Sequence, residues 1–237
     1  MSAALSALAE EEARKVEKPI ISAERATALA LELYGLRVVD GSIKELDSYD
    51  DRNFYLRARH ERCNDALVDA ADANSIDGEE GVRHFVLKVH NGIESLDPAF
   101  VECQNFAMAA VRAGCRVWCP RALPALDGTQ IAHASSTLAN GTERNHAVRC
   151  LPFRPGSLLA DVALSPALLK KLGTVTAQLS SALATFDHPA AHRPAFIWDL
   201  ANAPAVRPLL KHSPPERHAV CCLHIETSTP SMGQDCL

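Results

Sequence analysis

Lys88 lies in the short apolar run His84-Phe85-Val86-Leu87-Lys88-Val89, and fourteen residues later Glu102 opens an apolar-periodic stretch reaching Val111. A lysine fixed on a strand presents a point positive charge to phosphate oxygens, and a carboxylate on a neighbouring helix can orient that ammonium through an ion pair. The chemistry such a pair serves is phosphoryl transfer from a nucleotide. Strand lysines and helix glutamates are also common as solvated or merely structural pairs, so the elements around them must decide.

Those elements follow from changes of period. Ala3 to Lys18 is a charged, helix-prone lead-in ended by Pro19, and Ser22-Ala23-Glu24-Arg25 is an N-cap signal for a helix reaching Tyr34, with Gly35 as its stop. Leu36 to Leu46, Asn53 to Ala58 and Val82 to Val89 are rich in β-branched and aromatic residues and fit an antiparallel meander. Further strands are expected at Arg116 to Cys119, Thr129 to His133 and His146 to Phe153, before a turn at Pro155-Gly156. Ser165-Pro166 opens a last helix, in which Leu168, Leu172, Val175, Leu179, Ala182 or Leu183, and Phe186 share a face that must be buried. Residues 59–81 are polar, acidic and long for a hairpin connection, and are expected to be a surface insertion. Within them Asp72 to Asp77 imitates a calcium loop, but Ile76 stands at a ligand position, so a solvated loop is expected.

Composition narrows the classes of function. A chain of 237 residues can bury a full core, its net charge of −5 and lack of a basic run argue against nucleic acid, and no stretch is apolar for long enough to span a membrane. The first residues lack the basic start and apolar core of a secretory signal, so a cytoplasmic location is expected, with the eight cysteines reduced. Cys115 and Cys119 flank Arg-Val-Trp without a second pair to complete a zinc site, and buried thiols are the expectation.

Upstream of Lys88, Ser48-Tyr49-Asp50-Asp51-Arg52-Asn53-Phe54 joins two candidate strands, the position of a loop over donor phosphates. It holds no glycine, and an ordinary polar turn is the alternative. Downstream, Val148-Arg149-Cys150-Leu151-Pro152-Phe153-Arg154-Pro155-Gly156 passes from apolar strand into a turn, as a hinge beside a purine would; a plain strand end is equally consistent.

Taken together, the order of strand, Asp/Asn loop, strand lysine, helix glutamate, hinge and helix resembles the aminoglycoside phosphotransferase and choline kinase superfamily. More narrowly, the Ser48 to Phe54 loop, Leu87-Lys88-Val89-His90-Asn91, Glu94-Ser95, Glu102-Cys103-Gln104, Leu151 to Gly156, Phe186-Asp187-His188-Pro189 and Ile197-Trp198-Asp199-Leu200 are similar to the hydroxylysine kinase family, over roughly Lys18 to Leu210. The resemblance implies transfer of the GTP γ-phosphoryl group, or that of ATP, to the side-chain hydroxyl of 5-hydroxylysine, a small amino-alcohol, with Mg²⁺. It also implies that Lys88 grips the phosphates, Glu102 orients Lys88, and Ser48, Asp50, Asp51 and Asn53 belong to the covering loop, while Leu151 and Phe153 border the base.

One part of that pattern is missing. The family carries a His-Gly-Asp loop, an asparagine five residues after its aspartate and a further aspartate, which supply the base and the Mg²⁺ ligands; none follows Trp198 here. Asp69 and Asn74 have the right interval but precede Lys88 and lack the His-Gly lead. No catalytic residue and no metal ligand is therefore assigned. The expected fold is α+β, a protein-kinase-like two-lobed arrangement. Residues 1–150 form an N-terminal lobe, an antiparallel sheet with one orienting helix; 151–156 form a hinge, 157–210 an incomplete helical C-terminal lobe, and 211–237 a divergent tail. The expected function is that of a hydroxylysine-type kinase, inactive as it stands, in the manner of a shortened isoform, with a protein partner covering the incomplete lobe. The rivals are a non-catalytic nucleotide-binding or regulatory chain, and a superfamily kinase acting on choline, homoserine or an aminoglycoside.

Overall fold

The computed structural model describes residues 3–60 and 81–193 with a few isolated positions beyond, and side chains from residue 9. Contacts divide the chain into two units, residues 16–191 and residues 1–15 with 192–237. In the second of these, the N-terminal helix α1 (Ala3–Val16) places Glu10 where Arg193 donates to it at 2.7 Å. The interior of the insertion, the calcium-like Asp72 to Asp77, Asp69 with Asn74, Trp198 and the tail after 214 lie outside the described residues.

Residues 16–191 are built on one antiparallel sheet. Helix α2 (Ala23–Tyr34) starts where the Ser22 hydroxyl accepts the Arg25 N–H at 3.2 Å, and ends at Gly35, whose φ of 63° lets its N–H return to the Leu31 carbonyl. Strands β1 (Leu36–Val38) and β2 (Lys44–Leu46) both pair with β3 (Arg52–His60), and the order continues through β4 (Val82–Val89) and β6 (Glu143–Pro152) to β5 (Ala132–Thr137). The expected single strand from Leu36 to Leu46 is thus two short ones. Its two ends hydrogen-bond to opposite ends of β3, and the left-handed Gly41 turns the chain between them.

Alternation sorts the side chains onto two faces. Phe54, Leu56 and Ala58 of β3, Phe85, Leu87 and Val89 of β4, and Val148 and Cys150 of β6 join Ala26, Leu29, Ala30 and Tyr34 of α2 in the core. The buried Tyr34 hydroxyl donates to the Val148 carbonyl at 2.9 Å, tying α2 to β6. Asn53, Lys88 and Arg149 are partners across β3, β4 and β6 and so stand in one row on the opposite face.

That second face carries the short helix α3 (Gly92–Ser95) and α4 (Pro98–Gly114), the latter capped by Asp97. No strand forms at Arg116 to Cys119, because the segment folds back on α4 and its Cys119 carbonyl accepts from Arg112 at 2.8 Å. Cys103 and Cys150 are buried free thiols and Cys115 and Cys119 half-buried ones. Helix α5 (Pro166–Leu183) departs from expectation as well. None of its residues is fully buried; on the expected face Leu168, Val175 and Leu179 are half-buried and Leu172 is 40% exposed. It meets α4 where Gly114 lies against Ala182 so closely that an added Cβ would stand 2.8 Å from the alanine Cβ, and this crossing leaves the apolar face half covered. No helix among the described residues is long and apolar enough to cross a membrane.

Candidate functional site

The row Asn53, Lys88, Arg149 is the floor of the candidate site, with Leu151 and Val86 in the next row. Beyond Leu151 the half-exposed Phe153 meets the Tyr55 ring edge-on at 5.3 Å, and Tyr55 in turn shares a 2.6 Å hydrogen bond with His84. An apolar and aromatic strip therefore runs away from the lysine on one sheet face.

The loop before β3 closes over this floor. Lys18 donates to the carbonyls of Ser48 and Tyr49 at 2.7 and 3.3 Å, and Arg52 donates through Nε to the Pro19 carbonyl at 3.2 Å, so both ends of the loop are pinned to the segment entering α2. Between these pins Asp51 turns inward. One of its oxygens pairs with the Lys88 ammonium and the other accepts the Asn91 N–H at 2.8 Å and the Asn91 side-chain amide at 3.4 Å. Asp50 accepts from the same amide at 3.2 Å.

Lys88 therefore takes its carboxylate from Asp51, and the expected ion pair with Glu102 is not the one the structure makes. The reason is helical phase. Val101, Gln104 and Asn105, at i, i+3 and i+4, face the sheet, which turns Glu102 outward to solvent.

The slot between Lys88 and α4 belongs to Arg149. Only 2% exposed, its guanidinium donates through Nε to His90 Nε2 at 3.1 Å, and through its two terminal nitrogens to Asn105 Oδ1 at 2.7 Å and Gln104 Oε1 at 2.6 Å. All three acceptors are neutral. Burial pulls its pKa below the ordinary arginine value, opposed by the nearby carboxylates of Glu94 and Asp51.

Accepting that Nε–H fixes the tautomer of His90, whose Nδ1–H then donates to Glu94 at 3.0 Å. Its carbonyl accepts from His146 Nδ1 at 2.9 Å, and the Ser136 hydroxyl serves His146 Nε2 at 2.9 Å. Both imidazoles are fully buried, and burial lowers both pKa values. A histidine whose folded pKa is depressed binds fewer protons folded than unfolded, so its contribution is complete above about pH 6.5 and is lost as pH falls below it. Each buried imidazole should therefore lower stability as pH falls through that range. Urea unfolding at pH 7.5, 6.5 and 5.5 should show this decline, and a His90→Gln variant about half of it; a flat profile would contradict the assigned tautomers.

Asp51, His90 and Glu94 also bring one ligand atom each within 4.8 Å of one another, the spacing of a metal site. They do not suit Mg²⁺, which prefers oxygen ligands: Lys88 and Asn91 already occupy Asp51, Arg149 and Glu94 occupy the imidazole, and two cations flank the cluster.

Of the residues predicted from sequence, Asn53, Lys88, Leu151 and Phe153 follow one another along the same side of the sheet, and Ser48, Asp50 and Asp51 belong to the loop closing on it. Asn91, Arg149, Gln104 and Asn105, to which sequence reasoning gave no role, complete the polar network. The signal for Arg149 was a charge inside Ala147-Val148-Arg149-Cys150-Leu151, a run otherwise wholly apolar.

An antiparallel sheet with a strand lysine beneath a loop, a helix laid on the same face and part of a helical lobe after it define a kinase-like α+β fold. No protein-family model matches the chain. Individual relatives do: it is 31% identical to hydroxylysine kinase of Mus musculus over 198 residues, 79% of this chain and 46% of that protein. Hydroxylysine kinase of Xenopus laevis is 31% identical over 195 residues, 80% and 46%, and that of Bos taurus 27% identical over 210, 84% and 49%. The chain is thus a homologue of the hydroxylysine kinases, and it spans about half the length of the curated relatives it matches. A solved microcompartment-associated aminopropanol kinase aligns over 76% of this chain and 46% of its own, at 19% identity and a TM-score of 0.48.

Proposed function

We propose that this chain is the nucleotide-binding part of a small-molecule kinase of the hydroxylysine kinase type, with GTP as donor and the hydroxyl of an amino-alcohol such as 5-hydroxylysine as acceptor. The observation that supports it is the placement of Lys88 at the head of an apolar and aromatic strip under the Ser48 to Arg52 loop. Phosphates would meet the ammonium while the base rests on Leu151 and Phe153. A lysine here neutralises phosphate charge and aligns the donor, which is the larger part of what proteins contribute to phosphoryl transfer.

The sequence contains no His-Gly-Asp loop, and this favours a second reading, nucleotide binding without turnover. A positioned base is worth about 10²- to 10⁴-fold, so a chain lacking one should fall far below the roughly 1 to 100 per second of working kinases. Calorimetric titration with GTP and ATP, followed by a turnover assay with 5-hydroxylysine and Mg²⁺, tests both parts. The expected result is saturable nucleotide binding with turnover near background. Turnover at an ordinary kinase rate would show that the base lies elsewhere in this chain, and failure to bind either nucleotide would overturn the reading.

A further inference from the structure

We propose that Asp51 is a built-in counter-anion of the phosphate site, which the donor nucleotide must displace before Lys88 can hold it; this rests on the nucleotide reading above. The donors best placed for a phosphate on this floor are the Lys88 ammonium and the Asn91 backbone N–H, and Asp51 takes both, one with each carboxylate oxygen. A carboxylate and a pair of phosphate oxygens are interchangeable as two-pronged acceptors of charge-assisted hydrogen bonds. Two anions cannot share these donors, because like charges at contact distance repel strongly in a partly buried site.

The loop is built for such an exchange. Its flanks are tethered by Lys18 at Ser48 and Tyr49 and by Arg52 at Pro19, so Asp51 can swing between fixed ends without the loop leaving the site. The charge balance also favours it. With Asp51 seated, Lys88 and Arg149 face three carboxylates, Asp50, Asp51 and Glu94. With Asp51 withdrawn, the same floor loses one of those negative charges beside an open lysine, which lowers the repulsion a polyphosphate would meet. Lys88 would thus be neutralised while empty and exposed only to a competing anion of higher charge.

The test is GTP binding by wild type, Asp51→Asn and Asp51→Ser, with Lys88→Met as reference. The amide keeps an acceptor for Asn91 but frees the ammonium, so Asp51→Asn should bind GTP roughly tenfold more tightly, with a lower melting temperature in the absence of nucleotide and a larger rise on adding it. Asp51→Ser should follow the same direction if the asparagine variant folds poorly. Unchanged or weaker GTP binding by both variants, while wild type binds in a Lys88-dependent manner, would overturn the inference and leave the nucleotide reading standing: Asp51 would then be positioning Lys88 for the phosphates. Wild-type binding indifferent to Lys88, or none, would overturn both.

Discussion

A Lys88→Met chain should lose roughly 10- to 150-fold in GTP affinity and about 3 kcal/mol of stability, and the two losses have separate causes. The affinity loss follows from deleting a charge-assisted contact to phosphate, worth about 1.5 to 3 kcal/mol. The stability loss follows from what remains. Asp51 is almost buried and keeps only the Asn91 donors, so its carboxylate is left without a counter-charge in a low-dielectric place. Because the two effects come from different partners, the double variant Lys88→Met with Asp51→Asn should regain much of the stability but only a small part of the affinity, since the ammonium contact to phosphate stays lost. Calorimetric titration and urea unfolding on the same samples read both. A Lys88→Met chain that binds GTP like wild type would remove the lysine from the site.

The second large effect is expected at Arg149. An Arg149→Met variant takes the donor from the buried His90 Nε2 and from the half-buried Gln104 Oε1 and Asn105 Oδ1, and should cost about 3 kcal/mol. Arg149→Lys should recover little, since one ammonium on a flexible stem cannot reproduce a planar fork that reaches three acceptors at once. Converting Gln104 and Asn105 to leucine in the methionine background removes two of the orphans and should restore part of the loss. Urea midpoints of the three variants decide the matter. Equal midpoints for wild type and Arg149→Met would mean that α4 is held to the sheet by its apolar contacts alone.

Local signals carried most of the lobe. Ser22 and Gly35 bracket α2 as their capping chemistry requires, and the alternation in β3, β4 and β6 puts Lys88 and Leu151 on the face away from the core. What could not be read locally was any partnership set by register or rotation. Choosing between Asp51 and Glu102 as the companion of Lys88 needs the phase of α4 about its own axis, and one helical step separates the inward Val101 from the outward Glu102. Arg149 stands beside Lys88 only because β4 pairs with β6 in one register, across sixty-one positions of sequence. The double strand at Leu36 to Leu46 and the missing strand at Arg116 to Cys119 have a similar origin, since in each the chain found a nearer hydrogen-bonding partner than the period suggested. The half-covered face of α5 reflects the same limit in packing. Its leucines repeat at helical spacing, but spacing alone does not say how much of that face its neighbours cover.

The most direct test of the nucleotide reading is an amide chemical-shift map of the ¹⁵N-labelled chain titrated with a non-hydrolysable GTP analogue. The largest changes should fall on Asp50, Asp51, Lys88, Asn91, Leu151 and Phe153, with saturation at one equivalent. Changes confined to other surfaces, such as the groove between Thr27 and Leu31 of α2 and the Leu36 to Asp40 edge, would contradict that reading.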